Sequence, residues 1–352
     1  MRFIQVGIGS MGRRWLQWLT GNSDAEVVAL VDVDPTALAS ARAAGNYREE
    51  ICFSSLRDAL KHVDADALVC ITPPVHHKQC VTQAMKAGLN VITEKPMADS
   101  LPDCISILRT SHDTERTCVV SQNYRYKPET QTLAHLVRSG QIGDIGQVKI
   151  DYYLGWDCEG RFTQEIEHPL LVDMSIHHFD LIRFVTGLNV VSVRGESWNP
   201  PWSNYKGDCS SALVFELENG AHVVYNASWG AKGQFCGWDG NWQIEGSKGS
   251  ILYEKGQITI YEAPKLYRVT KTETVCIKKP EKTGQEYVLN NFIHSLKHGL
   301  RPQTDVFDNI HSIAMVFAAI KAVKTGKRTP VLDRRLQQAI ADYKPRLAKE
   351  EA

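Results

Sequence analysis

The chain has 352 residues, enough for two domains of ordinary size, each with its own core. Hydrophobic residues make up 43% and charged residues 23%, the proportions of a soluble globular protein. Lys plus Arg equals Asp plus Glu at 40 each, which leaves no electrostatic footprint for nucleic acid or an anionic membrane. Glycines interrupt the apolar start at Phe3, Ile4 and Val6, and Arg13 and Arg14 follow, so no signal peptide is expected. No stretch reads as the roughly 20 apolar residues that would span a bilayer. Nine cysteines fall between Cys52 and Cys276 without a CxxC pair, which points to a reduced, cytoplasmic protein with no zinc site.

Up to about residue 122, short apolar runs alternate with helical patterns. The runs Phe3–Val6, Val27–Val31, Ala67–Ile71, Asn90–Thr93 and Cys118–Ser121 suit strands buried on both faces of a parallel sheet. Amphipathic stretches such as Pro35–Ala44 and His76–Ala87 lie between them, and this alternation predicts a doubly wound α/β sheet. After Tyr124 the pattern changes. A helix is predicted over Pro128–Ser139, then strands over Val148–Leu154, Val190–Glu196, Ser211–Leu217, Ala221–Ser228, Gly249–Tyr253 and Gln257–Tyr261. Glu218-Asn219-Gly220 reads as a hairpin turn, and strands so closely joined predict an antiparallel sheet. Helical patterns Glu286–Lys297 and Val306–Thr325 close this half. The expected division is a first domain over 1–122, a second over 123–332, and a charged, helical tail over 333–352.

Gly7-Ile8-Gly9-Ser10-Met11-Gly12 is a GxGxxG run where the first strand meets the first helix. The first glycine permits the tight turn, the second lets a pyrophosphate approach the backbone, and the third lets helix and strand pack closely. Asp32 stands twenty residues further on, at the end of the next strand, where a carboxylate accepts hydrogen bonds from both ribose hydroxyls of NAD. Its charge opposes a 2′-phosphate, whereas Arg13 and Arg14 are the residues that would favour one. Thr72 and Pro73 end the strand Ala67–Ile71 and are candidates to line the cofactor. His77 is read as capping or packing the helix that follows.

Glu94-Lys95-Pro96 ends another parallel strand, and the Lys95 ammonium suits an oxygen that gains negative charge. In Asp173-Met174-Ser175-Ile176-His177-His178-Phe179-Asp180, a helical reading puts Asp173, His177 and Asp180 at i, i+4 and i+7 on one face. A histidine one turn from a carboxylate serves acid–base chemistry, a metal or a buried pair. No third ligand at suitable spacing supports a metal.

Taken in order, GxGxxG, Asp32, Thr72-Pro73-Pro74, Glu94-Lys95-Pro96 and Asp173-x-x-x-His177-x-x-Asp180 resemble the glucose–fructose oxidoreductase/inositol dehydrogenase (Gfo/Idh/MocA) family, from Phe3 to about Val331. The resemblance implies an N-terminal Rossmann domain and a C-terminal α/β domain. The latter's large, mostly antiparallel sheet also makes subunit contacts, hence a homodimer or homotetramer. It implies NAD held by Gly7, Gly9, Ser10, Met11, Gly12, Asp32, Thr72, Pro73, Glu94, Lys95 and Asn123. It also implies a sugar, inositol or glycoside hydroxyl as substrate, with Lys95, Asp173 and His177 at the catalytic positions. There His177 takes the hydroxyl proton, Lys95 polarises the oxygen, and Asp173 positions a neighbouring hydroxyl or orients the histidine. Tyr124 and Arg125 fall where the family contacts substrate. Six of the eight tryptophans lie in the second half, and Trp156, at the start of a polar loop, is the candidate ligand wall. Two rival readings stand beside a plain dehydrogenase: a glycoside-cleaving enzyme that uses NAD transiently, and a non-catalytic NAD-binding regulator. Retention of Lys95, Asp173 and His177 together argues against the regulator.

Overall fold

The computed structural model describes residues 1–45, 47–160 and 162–345. In chain order the elements are β1 (Arg2–Val6), α1 (Ser10–Thr20), β2 (Glu26–Val31), α2 (Pro35–Gly45), β3 (Cys52–Phe53), α3 (Leu56–His62), β4 (Ala67–Cys70), α4 (Pro74–Lys86), β5 (Asn90–Thr93), α5 (Leu101–Thr114) and β6 (Cys118–Val120). There follow α6 (Pro128–Arg138), β7 (Ile145–Tyr153), α7 (Ser175–Thr186), β8 (Val190–Trp198), β9 (Ser210–Leu217), β10 (His222–Ser228), β11 (Asn241–Gly246), β12 (Gly249–Glu254), β13 (Gln257–Glu262) and β14 (Lys271–Val275). The chain ends with α8 (Gly284–His298), α9 (Val306–Thr325), β15 (Thr329–Pro330) and α10 (Arg334–Asp342).

Two compact units form, and neither is contiguous. The first takes Met1–Asn123, Lys282–Ile310 and the stretch from Arg334; the second takes Tyr124–Glu281 and His311–Asp333. In the first, six parallel strands run β3-β2-β1-β4-β5-β6. All four residues of β4 are buried, as the apolar run Ala67–Cys70 requires of a central strand. The order reverses between β1 and β4, which makes their carboxyl ends the topological switch point. Helix starts are set locally: the Ser55 and Ser100 side chains accept from the third residue on, Asp58 N and Asp103 N. A linear division near residue 122 leaves out part of this unit, because β1, α5 and the turn after α1 find partners far along the chain. Phe292 of α8 meets Phe3 of β1 with ring centroids 6.4 Å apart, Lys297 lies 2.6 Å from Asp24, and Tyr343 meets His112 of α5.

The second unit holds a nine-stranded sheet ordered β14-β13-β12-β11-β7-β10-β9-β8-β15. Only the β7–β10 pair is parallel. The β9–β10 hairpin turns at Glu218–Gly220 as predicted, with Gly220 at φ +84°. Every residue of α7 except Arg183 is buried, and Phe179 meets the rings of Phe215 and Tyr225 at 4.9 and 5.3 Å. Helix α9 corrects one expectation. By length and composition it is apolar enough to cross a membrane, yet 67% of its most apolar window is buried inside the fold, as in a core helix.

A helix buried on all sides must pair its own polar groups. Asp180 of α7 accepts from Nε and Nη2 of Arg125, both at 2.6 Å, and from the Ser312 hydroxyl at 2.7 Å. Arg125 is 4% exposed and Asp180 1%. The Arg125 guanidinium, expected to contact substrate, is bonded through Nε and Nη2 to an internal carboxylate. Replacing Arg125 with Met leaves that carboxylate uncompensated, and such a loss typically costs about 3–5 kcal/mol. Urea unfolding of Arg125→Met against wild type checks this, and an unchanged midpoint would refute it.

Candidate active site

In the first unit the glycines divide the work. Gly7 adopts φ +90°, and a Cβ there would stand 2.4 Å from the Ile71 carbonyl oxygen. A Cβ on Gly12 would stand 2.2 Å from the Gly7 carbonyl oxygen, whereas one on Gly9 would meet nothing within 4 Å. The first and third glycines therefore serve packing, and the second leaves open space for a diphosphate. Helix α1 begins at Ser10 with no side-chain cap and no acid in its first turn, so its leading N–H groups and positive end remain available to an anion. The buried Gln5 amide secures the loop, donating to Gly7 O at 3.1 Å and Gly12 O at 2.7 Å. Asp32 accepts from Ile8 N at 2.6 Å through Oδ2 and from Asp34 N at 2.9 Å through Oδ1. Each oxygen keeps a second lone pair for a ribose hydroxyl. These residues fit NAD. Ser10 and Met11 open the exposed face of α1, with Arg13 and Arg14 also on it.

Thr72 and Pro73 follow β4 at the same carboxyl edge, against Gly7. Glu94 and Lys95 follow β5. Glu94, expected to touch the cofactor, is 9% exposed and accepts from Trp15 Nε1 at 2.9 Å and from Lys95 N at 3.1 Å. It ties α1 to the Lys95 turn, and burial pushes its carboxyl pKa up. Lys95 is half-buried. The Lys95–Pro96 bond is cis. His77 is fully buried, with Nδ1 2.8 Å from Pro96 O and Nε2 2.8 Å from Thr72 O. Asn123, half-buried, ends the stretch.

In the second unit, Leu170–Met174 forms a π-helical turn that leads into α7. Asp173 lies in this wider winding and His177 in regular helix, so simple α spacing does not relate them. Asp180, three residues after His177 in the same regular helix, is bonded to Arg125, the neighbour of the Tyr124 on which His177 stacks. His177 stacks on Tyr124, with centroids 4.1 Å apart and planes within 12°. The Lys127 ammonium lies 3.7 Å from the centroid of that tyrosine ring and 3.2 Å from Asp239. His178 is fully buried: Nε2 donates to Trp238 O at 2.9 Å, and Nδ1 accepts from Tyr225 OH at 2.9 Å. Trp238 meets Trp156 edge-on at 5.0 Å. Trp229 and Trp242 are buried and bond Tyr152 OH and Asp239 O, so they build the sheet's core. Sequence reading singled out none of Gln5, Trp15, Lys127 and His178. For Lys127 the signal was its i+3 spacing from Tyr124; Gln5 and Trp15 offered none.

Residues 1–122 match a model described as oxidoreductase family, NAD-binding Rossmann fold, and residues 130–252 match the GFO/IDH/MocA C-terminal domain. An uncharacterized protein of Sinorhizobium fredii is 28% identical, covering 94% of this chain and 95% of its own. An inositol 2-dehydrogenase of Rhizobium meliloti is 25% identical, covering 92% of this chain and 97% of its own. The crystal structure of an Agrobacterium radiobacter oxidoreductase, in complex with NAD+, L-tartaric acid and magnesium, superposes with a TM-score of 0.86. It is 20% identical and covers 94% of this chain and 98% of its own.

Burial lowers the His178 pKa to about 4. The folded value lies below the unfolded one, so its contribution to stability is present above about pH 6.5 and is lost as pH falls toward 4. A displacement of this size corresponds to a contribution on the order of 3 kcal/mol. His168, also lowered by burial, acts in the same direction, so the test is a difference between proteins. Unfolding free energies measured across this range should fall more steeply in wild type than in His178→Gln. Identical slopes would refute the assignment.

Proposed function

Because the chain belongs to the GFO/IDH/MocA family of NAD-binding oxidoreductases, we propose that it oxidises a hydroxyl of a sugar, inositol or glycoside, with His177 as proton acceptor and Lys95 as the cation at the reacting oxygen. The observation that carries this reading is the open Gly9 turn with Asp32 beside it, the features of a dinucleotide site. The family membership and the inositol 2-dehydrogenase relative support the polyol class.

When bound, NAD supplies the acceptor for the hydride. The N-terminus of α1, with Ser10 and Met11, and the open face of Gly9 hold the diphosphate, and Asp32 holds the ribose diol. Thr72 and Pro73 border the same edge, and Asn123 is a further polar contact. The Lys95 ammonium stabilises negative charge on the substrate oxygen. The His177 imidazole takes its proton near neutral pH, and Tyr124, stacked on it, fixes the ring plane. Asp173 positions a neighbouring hydroxyl, and Trp156 offers an indole face to the sugar ring. Exposed Val191, Val224 and Trp198 on the nine-stranded sheet support a homo-oligomer through that sheet.

A screen of inositols, sugars and glycosides that follows NADH absorbance and product together should find net NADH formation. Glycoside cleavage without net NADH would overturn net oxidation in favour of a transient redox step. His177→Ala should lower kcat by about 10²–10⁴-fold with NAD affinity unchanged. Lys95→Ala should also lower kcat, and the double variant less than additively, because both groups act on one oxygen. A near-normal kcat in His177→Ala would make the histidine structural. For the cofactor, kcat/KM should be higher with NAD than with NADP, and Asp32→Ala should narrow the gap; a preference for NADP in the wild type would refute the role of Asp32.

A further inference from the structure

The contacts of His77 impose a condition on its chemistry. The ring is fully buried near the start of α4, and each nitrogen lies 2.8 Å from a backbone carbonyl oxygen, Thr72 on one side and Pro96 on the other. Both partners only accept. A neutral imidazole has one N–H and one lone pair, so either tautomer would set a lone pair against a carbonyl oxygen. Only the cation donates at both nitrogens. The charged groups around it come from each packed element. Its ionisable neighbours are Glu94, just after β5, and Cys70, at the end of β4. Cys80 lies one turn further along α4, hydrogen-bonded to Cys70. Lys95 follows Glu94. His76 and Lys78 flank the ring on the exposed side of α4, where Lys78 lies 3.8 Å from Asp103 of α5. Glu94, bonded to Trp15 and to Lys95 N, is the buried acid among these neighbours.

We infer that His77 is held as an imidazolium that pins the turn after β4 to the turn after β5, and so acts as a positioning residue for Lys95. This rests on the role given to Lys95 above. The pin closes a chain of contacts along the carboxyl edge of the sheet. Gly7 packs on the Ile71 carbonyl, Thr72 is bonded to His77, His77 to Pro96, and Lys95 N to Glu94, which Trp15 returns to α1. Lysine carries its charge on a flexible four-carbon stem, so the position of its backbone sets the volume that the ammonium explores.

The test has two arms on the full-length protein. In the first, ¹⁵N-histidine NMR near neutral pH should show slowly exchanging protons on both ring nitrogens of His77. The ring is assigned by its through-space contacts to Thr72 and Pro96, so this arm needs no variant. One bare ring nitrogen would overturn the inference. In the second, His77→Gln, which retains a single donor group, should lower kcat by about 10²-fold, the usual cost of a displaced catalytic group. NAD affinity by direct titration should stay unchanged. In a Lys95→Ala background the same substitution should cost nothing further, and a loss of equal size in both backgrounds would overturn the positioning role. Full kcat in Lys95→Ala alone would overturn the reaction role of Lys95, and the positioning role with it. The NMR arm would still decide the charge of His77.

Discussion

Two close approaches near the start of the chain set the geometry on which the first unit depends. The Ile71 carbonyl lies where a side chain on Gly7 would begin, and the Gly7 carbonyl lies where one on Gly12 would begin. Only hydrogen atoms fit, so β1, β4 and α1 converge on one point. The convergence brings an uncapped helix end, a strand-end aspartate and two strand-end turns to one edge of the parallel sheet. Gln5, Glu94 and His77 then fix these parts with bonds from buried side chains to backbone.

The second unit solves a different problem. Helix α7 is surrounded by apolar side chains, yet it carries two histidines and an aspartate in four positions. Each has a separate environment. Asp180 is neutralised by Arg125, His178 is a neutral hydrogen-bond bridge between Tyr225 and Trp238, and His177 lies flat on Tyr124. The π-helical turn before α7 shifts Asp173 out of regular register with these three. Adjacent identical residues thus take unlike roles because successive helical positions point about 100° apart.

The parallel strands were legible because burial on both faces forces a continuous apolar run. The two-residue β3 is too short for any pattern. Strand β14, Lys-Thr-Glu-Thr-Val, is exposed almost throughout at the sheet edge and has no apolar face to reveal it. Strand β11 was hidden behind the glycine- and tryptophan-rich stretch that precedes it. The close-packed glycine turn and the strand-end position of Asp32 were readable because their motif spacing is local. The commitments of Arg125, Glu94 and His77 were not, since their partners lie 55, 79 and 19 residues away, respectively. Nothing in a single sequence distinguishes a buried tether from a ligand contact when both use the same side chain.

The split in the first unit bears on how the chain assembles. Synthesis delivers Met1–Asn123 first, but Phe292, Lys297 and Tyr343 arrive only after every strand from β7 to β14. During that interval Phe3 and His112 lack their partner rings, and the nascent sheet carries uncovered apolar surface. The second unit is thus inserted as two segments, Tyr124–Glu281 and His311–Asp333, into a host that is still half-built. Closing so long a loop adds little entropy cost beyond that of a shorter one, because the cost grows only with the logarithm of length. The delay is kinetic: late, non-local contacts slow folding and prolong the exposure of surfaces that aggregate. The order of synthesis thus places the closing contacts of the first unit last.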